Sequence, residues 1–119
     1  MKTYFISGHL TTTDDEFDEY YVPEIEQALK EGDAFVVGDA RGTDQMAQSF
    51  LKDKTDNVIV YHMFEMPRCN SGFKTVGGFK TDTERDEAMT KASDADIAWV
   101  RPGREKSGTA KNLNRRIEK

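Results

Sequence analysis

This chain of 119 residues has one cysteine, two histidines and three prolines. A single cysteine cannot form a disulfide within the chain, and one cysteine with two histidines does not supply the ligand set of a structural zinc site. No apolar run approaches the ~20 residues that a membrane-spanning helix requires. The sequence therefore predicts a cytoplasmic protein without a cofactor and without a membrane partner.

Positive charge is also in deficit, because 17 basic residues face 22 acidic ones and the net charge is −5. General binding of nucleic acid needs a basic surface, so this balance argues against it. The charge is uneven, however: residues 1–33 hold nine acids against Lys2 and Lys30, whereas seven basic residues fall within 101–119. This basic end either attracts a phosphate-bearing small molecule or forms a solvated helix face.

Apolar strand patterns and helical patterns alternate along the chain. Strands are predicted at 3–7, 35–37, 57–62 and 96–100, and helical patterns follow them, with a break near Val22 ahead of Pro23. Residues 63–80 are predicted to be irregular, either a lid carrying two exposed phenylalanines and two lysines or a mobile surface loop. The alternation predicts a single α/β domain over residues 1–119, a three-layer sandwich around a mostly parallel sheet of at least four strands.

The most informative stretch runs from Phe35 through Gly38, Asp39, Arg41 and Gly42 to Asp44. It predicts a buried strand, a tight turn and the start of a helix. The glycines permit unusual dihedral angles or the close approach of a ligand, and free amides at a helix start favour an anion. An ordinary turn between a strand and a helix is the alternative.

The first strand ends in Ser7-Gly8-His9, a sequence also typical of the first loop in a nucleotide-binding sheet. In parallel sheets ligands sit beyond the carboxyl ends of the strands. His9 is therefore either a ligand contact, with a capacity for proton transfer, or a loop residue without a role.

Arg85 is predicted to point inward, because it shares a helix face with Ala88, Met89 and Ala92. A buried guanidinium needs an anionic partner. The partner is either a ligand phosphate or carboxylate, or an internal salt bridge, for example to Asp39 or Asp44.

The last helix is predicted to open at Ser107-Gly108-Thr109, after a turn at Pro102-Gly103. Backbone amides and a hydroxyl at a helix start bind phosphate well. Arg104 and Lys106 precede this turn, so glycine, hydroxyl and cations coincide there, and the pattern favours an anion site over a plain helix start.

The chain resembles the SLOG superfamily, a Rossmann-like group, and within it the YspA-like branch. The resemblance rests on three stretches and covers most of the chain outside 63–80; small proteins of T4-like phages also look similar. The stretches are Val36–Asp44, Glu84–Met89, and Ala95–Ala98 followed by Pro102-Gly103 and Ser107–Ala110.

The resemblance implies a nucleotide ligand and, because relatives often pair through helices, a homodimer. In the related Lonely Guy phosphoribohydrolases a phosphate loop matches Gly108-Thr109, an assisting arginine matches Arg85, and a catalytic glutamate falls on Asn112. Asparagine cannot act as a base, so the binding half of that site matches and the catalytic half differs.

Three functions follow as expectations. In the first, the chain binds a nucleotide or a derivative, with ligand contacts at the positions named below. In the second it is an N-glycosidase or deoxyribosyltransferase of a nucleoside monophosphate, with Asp39 or Asp44 as the catalytic carboxylate. In the third it is an interaction protein that kept the fold. The predicted ligand contacts are Ser7, Gly8, His9, Gly38, Arg41, Gly42, Arg85, Gly103, Ser107, Gly108, Thr109 and Asn112.

Glycines 8, 38 and 42 are expected to let the backbone approach sugar and base, and Asp39 to accept hydrogen bonds from ribose. Arg41 is expected either to contact a second phosphate or to hold Asp44 in place.

Overall fold

A computed structural model describes residues 1–63, 65, 70, 72–104 and 107–117. Five strands and five helices alternate along this part of the chain. In chain order they are β1 (Thr3–Ser7), α1 (Asp14–Tyr20), α2 (Val22–Lys30), β2 (Ala34–Gly38), α3 (Thr43–Leu51), β3 (Val58–Met63), β4 (Lys74–Phe79), α4 (Asp82–Ala92), β5 (Ala95–Ala98) and α5 (Gly108–Ile117).

The five strands form one parallel sheet in the order β4-β3-β2-β1-β5. The chain moves outward from β1 to β4 and then crosses to the other side of β1, where β5 pairs with it from Tyr4↔Ala95 to Ser7↔Ala98. The strand order therefore reverses between β1 and β5. The predicted α/β fold, a Rossmann-like three-layer sandwich, is confirmed.

Successive side chains of each strand point to opposite faces of the sheet, so the strands contribute to two apolar layers, one on each face. On one face Ile6 and Val37 pack with Tyr21 of the connection between α1 and α2 and with Leu51 of α3. On the other face Phe5 and Val36 pack with Met89 of α4. We call the second one the α4 face of the sheet; α5 lies beside α4 and against β5. Ala92, which was expected in the core, is exposed.

The helix boundaries follow local signals. Thr13 caps α1, and its hydroxyl accepts a hydrogen bond from the amide of Glu16 at 3.2 Å while the Glu16 carboxylate accepts from the amide of Thr13 at 2.9 Å. Pro23 lies in the first turn of α2, where its missing N–H costs nothing. The break predicted near Val22 is confirmed.

The irregular segment predicted at 63–80 is wrong for residues 74–79, which form β4 at the edge of the sheet. The strand was missed because two glycines interrupt it and nearly every residue in it is exposed. Phe73 and Phe79 are half-buried, not exposed, and the Phe79 ring stacks on Tyr61 with 5.9 Å between centroids. Residues 64, 66–69 and 71, which the predicted lid includes, lie outside the described residues.

Every helix in the described ranges is too short or too polar to cross a bilayer.

Candidate functional site

Arg85 projects from the first turn of α4 into the protein and is only 6% exposed. Its Nη1 donates to Oδ1 of Asp39 at 3.0 Å, and Asp39 is fully buried. Its Nη2 lies 3.2 Å from Oδ1 of Asp82, and Nε and Nη2 donate to Oδ1 of Asp86 at 3.3 and 3.2 Å. The inward direction is confirmed, and the internal salt bridge that competed with a ligand is present.

Gly38 ends β2 beside this arginine. A Cβ at Gly38 would lie 2.6 Å from Oδ2 of Asp44 and 3.4 Å from Cζ of Arg85. The absence of a side chain here therefore lets Asp44 and Arg85 pack against the strand end. We call Arg85 with Asp39, Asp44, Asp82 and Asp86 the Arg85 cluster.

Asp44 is a carboxyl of this cluster whose pKa is strongly shifted. It is 9% exposed, and its Oδ2 accepts a hydrogen bond from the amide of Ala40 at 3.2 Å. Burial raises the pKa of Asp44 to about 7; Arg85 opposes the rise, and the neighbouring Asp86 and Asp39 add to it. A carboxyl with this pKa can give or take a proton at neutral pH.

Asp86 continues the cluster toward α5. Burial raises its pKa, while Arg85 and a hydrogen bond from the Asn112 side chain lower it. Asn112 is 4% exposed, and its Oδ1 accepts from Nη1 of Arg115 at 2.6 Å. The asparagine thus joins a carboxylate of α4 to an arginine of α5, and a carboxylate lies beside the position where the resemblance implies a glutamate.

The first turn of α5 lies one helical turn before Asn112. Ser107 caps the helix, since its Oγ accepts from the amide of Ala110 at 3.2 Å. Thr109 is buried with 4% exposure, whereas Arg104 and Gly103 are exposed, and Gly103 has a φ of +88°. Lys106, the other cation expected here, lies outside the described residues.

His9 has a structural environment. Its Nε2 accepts a hydrogen bond from the amide of Arg101 at 2.8 Å, and its ring meets Trp99 edge-on. Burial, with Arg101 and Arg104 nearby, lowers the pKa of His9, which favours the neutral ring that this hydrogen bond needs. His9 ties the loop after β1 to the loop after β5, and its acceptor nitrogen is occupied.

Further contacts close the same junction on the face that α1 covers. The Arg101 guanidinium donates to both carboxylate oxygens of Glu16, at 3.1 and 2.7 Å, and Tyr20 stacks on Trp99 at 4.2 Å. The Tyr21 hydroxyl donates to the carbonyl of Ser7 at 2.7 Å and accepts from the amide of Trp99 at 3.1 Å. A ligand at the ends of β1 and β5 would therefore lie on the α4 face.

Two of the predicted ligand-approach glycines have their space filled by this chain. A Cβ at Gly8 would collide with the side chains of Thr43 and Tyr21. Gly42 has a φ of +78°, and a Cβ there would lie 2.5 Å from the carbonyl oxygen of His9. Packing of the two loops against each other accounts for both glycines, and a ligand contact through them stays a prediction.

Arg41 is exposed, and within the described residues no ion pair joins it to Asp44. The amide of Ala40 holds Asp44 instead. Ser7 lies on the α4 face, because it alternates with Ile6, and its Oγ is buried without a hydrogen-bond partner in the described part of the protein.

The structure thus links Asp39, Arg85 and Asn112 through ion pairs and hydrogen bonds that include Asp86, with Asp44 beside Arg85. The described contacts of His9, Gly8 and Gly42 are instead with the loops after β1 and β5, Tyr21 and Thr43, and Arg41 is exposed. Sequence reasoning missed Asp82, Asp86 and Arg115. Their spacing was a usable signal, since Asp82 and Arg85 are three positions apart on one helix and Asn112 and Arg115 repeat that spacing on the next.

The described residues contain no group of three or more histidine, cysteine, aspartate or glutamate side chains arranged to hold a metal ion. No protein-family model, no curated protein and no solved structure matches this chain.

Proposed function

We propose that this protein binds a nucleotide or a nucleotide-derived ligand on the α4 face, at the carboxyl edge of its sheet. The observation that carries the proposal is the Arg85 cluster, in which Arg85, Asp39 and Asp44 are buried at the end of β2 and Asp86 continues through Asn112 to α5. Buried charge at this edge of a parallel sheet is expensive and is typical of ligand sites.

The Arg85 cluster changes which residues we expect to bind the phosphate and which we expect to bind the sugar. Arg85 is already neutralised by three carboxylates, so it does not serve as the main phosphate ligand. The phosphate is assigned to the amides of Gly108 and Thr109 in the first turn of α5, with the Thr109 hydroxyl beside them. The carboxylates of the Arg85 cluster then accept hydrogen bonds from the sugar hydroxyls.

Thermal unfolding with a panel of ligands tests this assignment. The panel contains the common ribo- and deoxyribonucleoside monophosphates, the free nucleosides and inorganic phosphate. A ligand that binds the folded state raises the unfolding temperature, and we expect a monophosphate to do so more than its nucleoside.

Thr109→Val removes the hydroxyl at nearly constant volume and is expected to reduce the rise, whereas Thr83→Val, at an exposed position of α4, is expected to leave it unchanged. An unfolding temperature that no member of the panel changes would contradict the proposal. That outcome would favour the expected interaction protein that kept the fold and lost its ligand.

One observation favours a second function, cleavage of the N-glycosidic bond of a nucleoside monophosphate by hydrolysis or deoxyribosyl transfer. The Arg85 cluster holds more carboxylates than guanidinium groups, and positive charge develops on the sugar as this bond breaks. Asp44, whose pKa is about 7, is able to protonate the leaving base as the glycosidic bond breaks. Water or an acceptor base then forms the new bond to the anomeric carbon.

Release of free base from the same nucleotide panel, followed by chromatography, tests the enzymatic function. We expect Asp44→Asn to abolish turnover while the ligand-induced rise in unfolding temperature persists. If binding is measurable and no base appears with any nucleotide, with or without an added acceptor base, the enzymatic function is refuted and the binding function stands.

A further inference from the structure

A concave surface lies away from the Arg85 cluster, between α1 and α3 on the opposite face of the sheet. It has a volume of about 810 Å³. Its floor is apolar, because Phe17, Phe50 and Met46 line it. The Phe50 ring meets Phe17 edge-on with 6.2 Å between centroids, and both Phe50 and Met46 remain partly exposed. We call this surface the α1–α3 groove.

The walls of the groove differ in charge. Asp14 and Asp18 line the α1 side and are exposed, while the α3 side contributes the exposed, uncharged Gln45 and Ser49. The helix α1 carries five acidic residues and no basic one. Among those five, Glu16 is paired with Arg101, which leaves the groove wall itself without a described cationic partner.

Lys54, three residues past the end of α3, also lines the groove. Its ammonium lies 4.3 Å from the centroid of the Phe50 ring and donates to the Phe50 carbonyl at 2.7 Å. The side chain of Lys54 therefore covers one side of the partly exposed Phe50 ring.

We propose that the α1–α3 groove is a docking site for a basic, amphipathic helical segment of another protein. Apolar side chains of the segment would pack on Phe17, Met46 and Phe50, and its lysines or arginines would face Asp14 and Asp18. The nine residues of α3 correspond to a length of about 14 Å, which matches two to three turns of a docked helix.

A second copy of this chain fits the groove less well, although residues 101–119 carry seven basic residues. Arg116 is held by both carboxylate oxygens of Asp96, and Arg115 donates to Asn112. Arg101 is held by Glu16. Using these three cations on a neighbouring copy would break contacts within their own chain, which favours a foreign basic segment as the occupant.

Binding of a synthetic peptide tests the proposal. The probe is a fluorescein-labelled 12-residue amphipathic helix of leucine and lysine, and its control is the same peptide with glutamate in place of lysine. We expect saturable binding of the lysine peptide by fluorescence anisotropy, weakened by added salt, and no binding of the glutamate peptide.

Variants locate the binding surface. Asp14→Asn with Asp18→Asn is expected to weaken binding of the lysine peptide about fivefold, because two exposed charge pairs are lost and each contributes little in water. Ser49→Arg, which places a cation in the groove at an exposed helix position, is expected to weaken it about tenfold or more. The matched control, Glu26→Gln with Glu87→Gln, removes two exposed carboxylates elsewhere and is expected to change nothing.

Three results would overturn the proposal: no saturable binding, equal weakening by the matched control, or equal affinity for the groove variants and the unmodified protein. Sedimentation of the protein without peptide could give a fourth result that overturns the proposal. Concentration-dependent association that Asp14→Asn with Asp18→Asn abolishes would assign the groove to a second copy.

Discussion

Protonation of Asp44 is expected to couple the stability of the whole fold to pH. Burial raises the pKa of this carboxyl from 3.8 to about 7, so the folded chain holds a proton that the unfolded chain has lost throughout the interval between these values. Stability therefore falls as pH rises through this interval and is constant above it. The full difference corresponds to about 4 kcal/mol, at about 1.4 kcal/mol for each pKa unit.

The test compares the protein with Asp44→Asn, because an amide at this position keeps an acceptor for the amide of Ala40 and does not ionise. Between pH 5 and pH 8 we expect the unfolding free energy of the unmodified protein to fall by roughly 2 to 3 kcal/mol relative to that of the variant. Urea titrations followed by circular dichroism at four pH values measure this difference. The neighbouring Asp86 titrates in both proteins and largely cancels in the comparison.

Asp15→Asn serves as the control, since Asp15 is an exposed carboxylate of α1 and its removal is expected to leave the pH profile unchanged. If the unmodified protein and Asp44→Asn have parallel stability profiles, Asp44 is not held protonated. Its assignment as the proton donor of an enzymatic site would then be lost as well, while the binding function would remain open to its own test.

Three other substitutions address the contacts that hold the site. Arg85→Met removes the guanidinium that pairs with the buried Asp39 and is expected to lower the unfolding free energy in urea by about 3–5 kcal/mol, and an unchanged value would show that the pair is not buried. Gly8→Ala drives a methyl group into two packed side chains and is expected to cost about 1–3 kcal/mol in the same assay. Ser107→Ala removes the cap of α5 and is expected to cost about 1 kcal/mol, measured as a lower melting temperature.

The fold was predictable because four of its strands carry their own signal. Three consecutive apolar residues precede Gly38, and the β-branched residues of β3 predict a buried strand in the same way. The strand β4 carries no such signal, because an edge strand packs few side chains. Gly77 in it is explained by a neighbour: a Cβ there would collide with the ring of His62 on β3, a tertiary contact that local periodicity does not encode.

The position of Arg85 was predictable, and its partners were predictable only in part, since Asp39 was one of two carboxylates proposed for it. Helical spacing placed Arg85 inside the protein, and strand topology placed it at the carboxyl edge. The contact with Asp39 depends on the packing of α4 against β2, whereas Asp82 and Asp86 lie on α4 itself, within three residues of Arg85. The role of His9 was not predictable from the sequence. A histidine directly after a strand is compatible with a ligand contact, but its hydrogen-bond partner is a backbone amide 92 residues away in the chain.

The Tyr21 hydroxyl has one consequence for the geometry of the sheet. In a parallel ladder, the amide one residue past a paired position donates to the partner's carbonyl, so the next rung after Ser7↔Ala98 would join the carbonyl of Ser7 to the amide of Trp99. The phenol oxygen occupies that rung, because it contacts both groups at 2.7 and 3.1 Å. The gap between the tips of β1 and β5 is thus as wide as one inserted oxygen atom, and a single side chain from outside the sheet sets where the two strands part.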